Sequence, residues 1–144
     1  MGLLGVAAAL RLLPLGTQSL WYDEVFTFNA SAGSLPRLYS ILIEDGQHPP
    51  LHYLLTWVMV RFGDSEVLLR LPSALLGIAS LLGLHALTCR LANARAALIA
   101  TALATCSSFH LLYSHEARNW MLLLALTVLG SQLLLEAAMR PRWW

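Results

Sequence analysis

The chain has 144 residues, 58% of them hydrophobic and only 12% charged, with a formal net charge of +1. A soluble domain carries about twice that charged share, and so even a charge balance offers no electrostatic footprint for nucleic acid. With a mean hydropathy of +0.64, the chain reads as an all-α, multi-pass membrane protein with no nucleic-acid partner. Cys89 and Cys106 lie in apolar stretches and are too few for a disulfide framework.

A bilayer crossing needs about 20 apolar residues. Four stretches approach that length: 2–20, 67–88, 96–113 and 120–138. The first contains Arg11, which either snorkels to an interface or marks a span that starts further upstream. Trp21-Tyr22-Asp23-Glu24 follows at once. Acids so close to a membrane boundary are costly unless they have a use. On a helix, Asp23 and Glu24 point about 100° apart, so one can face a pocket while the other organises the loop. Asp23 is the candidate general base; the plainer alternative is an acid interacting with a helix N-terminus.

The outer loop, about 21–66, is expected to hold two short juxtamembrane helices, Asp23–Ser31 and Leu35–Glu44. Ser34 with Pro36 starts the second, and Gly46 stops it. The cluster Glu44-Asp45-Gly46-Gln47-His48 can bind a sugar hydroxyl or a metal, or form a solvated turn. Pro49-Pro50 then starts another helix. Its apolar run of about 13 residues is short for a span, which predicts a helix lying along the membrane surface. His52, Tyr53, Trp57 and Arg61 would be its headgroup-facing tips. His48 and His52 stand at a metal-pair spacing, but the two prolines interrupt the helix such a pair requires. No metal site is expected, and a divalent cation stays an open alternative.

Arg70, at the start of the second span, can fork onto a phosphate at headgroup depth or simply anchor the interface. Arg90 and Arg95 bracket the next short loop, and Arg140 and Arg142 follow the last span. The positive-inside rule puts both groups in the cytoplasm. The outer loop and Ser114-His115-Glu116-Ala117-Arg118 then share the opposite side. There Glu116 and Arg118 can pair with each other or with the first loop, and Arg118 is a second candidate phosphate donor. Stripes of small residues predict close helix contacts at Ser73, Gly77 and Ser80 and at Ala96, Ala100 and Ala104. His85 and His110 read as structural.

Trp21-Tyr22-Asp23-Glu24, His48-Pro49-Pro50-Leu51-His52-Tyr53, Arg70-Leu71-Pro72-Ser73 and Ser114-His115-Glu116-Ala117-Arg118 together resemble the N-terminal part of the polytopic GT-C glycosyltransferases. The branch resembled is that of the protein O-mannosyltransferase-like and rhizobial lipopolysaccharide-transferase-like enzymes. The resemblance spans nearly the whole chain. It implies sugar transfer from a polyprenyl-phosphate donor to a lipid, glycan or protein acceptor, on the periplasmic face of a bacterial inner membrane. It implies Asp23 as the essential acid with Glu24 beside it. Substrate contacts would come from Glu44, Asp45, His48, Arg70, His115, Glu116 and Arg118, although His115 stands where such sequences often have glutamine. Family members are several times longer, so 1–144 is expected to be a single N-terminal module. A transporter would need ionisable groups in mid-membrane, whereas these acids sit at span ends; a non-catalytic scaffold is the other alternative.

Overall fold

A computed structural model describes residues 2–46 and 48–139 as eight helices with no strand among them. Gln47 and the terminal Arg140 and Arg142 lie outside the described residues. The all-α expectation holds. Two helices are long and apolar enough to cross a bilayer unaided: α5 (Glu66–Leu91) and α8 (Trp120–Met139). At 1.5 Å per residue they reach about 39 and 30 Å, against a hydrocarbon core of about 30 Å. They contain the predicted spans 67–88 and 120–138.

The predicted span 96–113 is broken. It consists of α6 (Ala94–Cys106) and α7 (Ser108–Ser114), bent by 61° between them, and the pair makes a third crossing if taken as one. No proline or glycine marks this break. Ser107 makes it, starting the new helix by accepting from the His110 N–H at 3.4 Å. The first predicted span also changes. Its helix, α1 (Gly2–Leu12), stops two residues before Pro14 and is only about 16 Å long. Arg11 does not snorkel. It is fully buried and turns towards the break, donating to His110 Nδ1 at 3.0 Å and to the Thr105 carbonyl at 3.4 Å. His110 in turn meets Ser80 Oγ at 3.1 Å. A bent helix leaves carbonyls without intrahelical donors, and Arg11 supplies one.

Helix α5 is the central post, packed by α1, α4, α6, α7 and α8. Its small stripe performs as expected: Ser73, Gly77 and Ser80 are buried. A Cβ on Gly77 would lie 2.4 Å from Ser114 Oγ, and one on Gly83 would lie 2.6 Å from Val128. On α6 the buried stripe is Ala97, Thr101 and Thr105, one residue beyond the predicted alanines. Thr101 fits because it donates its hydroxyl proton to the Ala97 carbonyl at 2.7 Å, whereas the buried Thr105 hydroxyl has no partner among the described residues.

The outer loop folds as predicted into α2 (Tyr22–Ala32) and α3 (Leu35–Asp45), with Gly46 ending α3 at φ 62°. The next helix, α4 (Pro50–Val60), has 11 residues and is too short to span. Its orientation corrects one expectation. His52 and Tyr53 are buried, not headgroup-facing, while Leu51 and Val58 are exposed. Tyr53 joins Ala30, Leu38 and Leu42 in the loop's own core, and Thr56 meets Ser31 of α2 at 2.8 Å. A polar face turned inward and an apolar face turned outward suit a helix lying against lipid. Arg61 stacks 4.7 Å from the Trp57 ring and caps the C-terminal carbonyls of α2.

Candidate active site

Glu24 is the third residue of α2 and reaches back to the Trp21 N–H at 3.4 Å, the return half of a capping box. Its carboxylate is completely buried. Oε1 accepts from Arg70 Nε at 2.8 Å and from the Ala117 N–H at 2.9 Å; Oε2 accepts from Arg70 Nη2 at 2.6 Å. Arg70 also donates to the carbonyls of Leu15 (2.9 Å), Gln18 (2.8 Å) and Ser19 (3.2 Å). A guanidinium has five N–H donors, and here all five are engaged. Arg70, expected to fork onto a phosphate, forks onto Glu24 instead. The pair ties together α2, the 15–19 segment, α5 and the loop before α8.

Asp23, the neighbour of Glu24, points elsewhere. Its side chain is 36% exposed, and Oδ2 lies 3.5 Å from Arg118 Nη2. The same Nη2 lies 3.2 Å from His48 Nε2, and His48 Nδ1 lies 2.5 Å from Asp45 Oδ2. Four predicted site residues from α2, the end of α3, the α3–α4 turn and the α7–α8 loop thus form one row. Arg118 is held in place through its backbone carbonyl, which accepts from Ser73 Oγ at 3.3 Å. Among the described residues its Nε and Nη1 donors have no partner, so Arg118, unlike Arg70, has N–H groups to spare. Glu44 is exposed and takes no part in the row.

A cavity of about 340 Å³ opens over the Glu24–Arg70 pair, lined by Gln18, Ser19, Trp21, Leu112, His115 and Glu116. His115 donates from Nε2 to the Leu10 carbonyl at 2.9 Å. The Glu116 carboxyl is pushed above the usual carboxylate range, first by burial and then by the charge of Glu24. Residue-type reasoning missed Gln18, Ser19 and the cavity-lining role of Trp21. Their only signal was position, immediately before the acid pair.

His52 is buried with neither ring nitrogen hydrogen-bonded. Burial drives its pKa down to about 4; the nearby Ala117 backbone opposes this without making a hydrogen bond of ordinary geometry, and the charge of Arg118 adds to it. No group of three or more His, Cys, Asp or Glu among the described residues is disposed to hold a metal.

Residues 47–144 match the dolichyl-phosphate-mannose-protein mannosyltransferase family. The chain belongs to that family. It is accordingly a partial GT-C-type module of a membrane glycosyltransferase family. The matched region of this mannosyltransferase-family chain includes His48, Arg70, His115, Glu116 and Arg118 and begins after Asp23, Glu24, Glu44 and Asp45. No curated protein and no solved structure matches the chain.

Proposed function

We propose that the protein transfers a sugar from a polyprenyl-phosphate donor to a hydroxyl of a lipid, glycan or protein acceptor, with Asp23 as general base. One observation carries the reading. Asp23, a partly exposed carboxylate, sits 3.5 Å from an arginine with uncommitted N–H donors, while its chain neighbour Glu24 lines the cavity of about 340 Å³. Asp23 takes the proton of the acceptor hydroxyl as its oxygen bonds to the anomeric carbon. The anomeric carbon–oxygen bond to phosphate breaks, its electron pair leaves with the lipid phosphate, and configuration inverts. Arg118 stabilises the charge growing on that phosphate, where preorganised donors count most. Glu24 and Arg70 hold the loops, and the cavity seats a sugar ring between Trp21, His115 and Glu116. Arg90 and Arg95 lie at the far end of α5 and the start of α6. By the positive-inside rule they face the cytoplasm, so the site faces the periplasm of a bacterial inner membrane.

The test is transfer from a radiolabelled lipid-linked sugar in membranes holding wild-type protein or Asp23→Asn at equal folded amount. Loss of a general base predicts a drop of about 10²–10⁴-fold. Wild-type turnover by Asp23→Asn removes the base from the mechanism.

A further inference from the structure

The His48 ring lies between an acid and a base, each at hydrogen-bonding distance from a different nitrogen. Nδ1 is 2.5 Å from Asp45 Oδ2, and Nε2 is 3.2 Å from Arg118 Nη2. A guanidinium can only donate, and an ionised carboxylate can only accept. Both contacts are satisfied together by a single state of the ring, the neutral tautomer with its proton on Nδ1. Tyr53 stands edge-on at 5.8 Å and Phe26 tilted at 6.1 Å, which fixes the ring plane from α4 and α2.

We propose that His48 is a positioning residue that acts through Arg118: locked by Asp45, it holds the guanidinium beside Asp23 and does not itself touch substrate. This rests on the reading of Arg118 as the phosphate-facing cation. It replaces the sequence-based expectation that Asp45 and His48 contact the sugar. Arg118 has a long side chain with much rotational freedom to lose. Holding Nη2 against His48 and Asp23 leaves Nε and Nη1 uncommitted and available to a phosphate. Misplacement by about 1 Å of a group that orients a reaction can cost about 10²-fold in rate.

The same geometry makes the hold dependent on His48 being neutral. Protonation puts an N–H on Nε2, so that donor faces donor and cation faces cation at 3.2 Å. The groups around the ring are Asp45 at the end of α3, Arg118 on the α7–α8 loop, Tyr53 and the buried His52 on α4, and Asp23 of α2 beyond Arg118.

The test compares the pH dependence of transfer in native membranes for the wild type, His48→Gln and His48→Ala. A glutamine amide can donate to Asp45 and accept from Arg118 but does not titrate. His48→Gln is expected to stay within about threefold of wild type at pH 8 and to lose the wild-type decline on acidification. His48→Ala is expected to fall about 10²-fold. The proposal is overturned if the glutamine variant falls as far as the alanine variant, or if it keeps the wild-type acid limb. A second readout needs no turnover. Imidazole ¹⁵N shifts of histidine-labelled protein, with His48 assigned by its loss in His48→Gln, should show Nε2 unprotonated at pH 8. A proton on Nε2 at that pH contradicts the lock even if Asp23→Asn shows that the assigned chemistry is wrong.

Discussion

Glu24 and Arg70 lie 46 positions apart and meet in two parallel contacts of 2.6 and 2.8 Å, both buried. Both side chains are thereby engaged in holding α2, the 15–19 segment and α5 together. Removing one partner of a buried ion pair strands the other charge, at a cost of about 3–5 kcal/mol. Glu24→Ala and Arg70→Ala should therefore each lower the thermal unfolding temperature in nanodiscs. The double variant Glu24→Leu/Arg70→Met should recover part of that loss, because no unpaired charge is left. If the double variant is worse than the sum of the singles, the loss does not come from a stranded charge at Glu24 or Arg70.

Arg118 should behave in the opposite way. Its Nε and Nη1 are free among the described residues, and its loop is held by the Ser73 and Ala117 backbone contacts. Arg118→Ala should keep the fold and cut transfer by about 10²–10³-fold, the range for loss of one preorganised donor. Thermal unfolding and transfer measured on one preparation separate the two arginines: stability lost at 70, rate lost at 118.

The outer-loop helices and the Gly46 stop were legible from residue types and caps, while the meeting of the first loop with Arg118 was one of two pairings that the span ends left open. The arginine roles were not. A sequence shows that a guanidinium lies at a span end but not how many of its N–H groups the fold has already used, and Arg70 spends all five on carbonyls of residues 15–19 and on Glu24. The α6–α7 break escaped for a similar reason. Serine is a common residue inside apolar helices, and only the Ser107 Oγ contact and the distant Arg11 reveal that a new helix begins there. His52 looked like a headgroup tip because periodicity cannot say which face of a short helix the outer loop covers.

His52 should also set part of the acid stability. Its folded pKa is about 4 against an ordinary 6.5, so between those values the unfolded chain binds the proton and the folded one does not. Stability from this group is complete above pH 6.5 and is lost as pH falls towards 4, by about 3 kcal/mol at 1.36 kcal/mol per pH unit. His52→Leu should flatten that stretch of a stability–pH curve measured by chemical denaturation. An unchanged curve would show that the ring finds a partner or water inside the fold.

Gly77 tests the packing of the broken helix. With Ser114 Oγ only 2.4 Å from where a Cβ would stand, Gly77→Ala should destabilise by about 1–3 kcal/mol, the usual cost of overpacking. Ser114→Gly in the same chain should relieve most of it. Failure of that relief would place the obstruction elsewhere, with Met121 Sδ at 3.4 Å the next atom in line.

The most direct test of the convergence of Asp23, His48 and Arg118 at a single membrane face is labelling by a membrane-impermeant thiol reagent. The chain would carry Cys89→Ser and Cys106→Ser and one new cysteine at a time at positions 23, 64, 92 and 116. Cysteines at 23, 64 and 116 should react from one side of the membrane, and the cysteine at 92, between α5 and α6, only from the other. Labelling of 92 from the same side as 23, or of 116 from the side opposite 23, would contradict it.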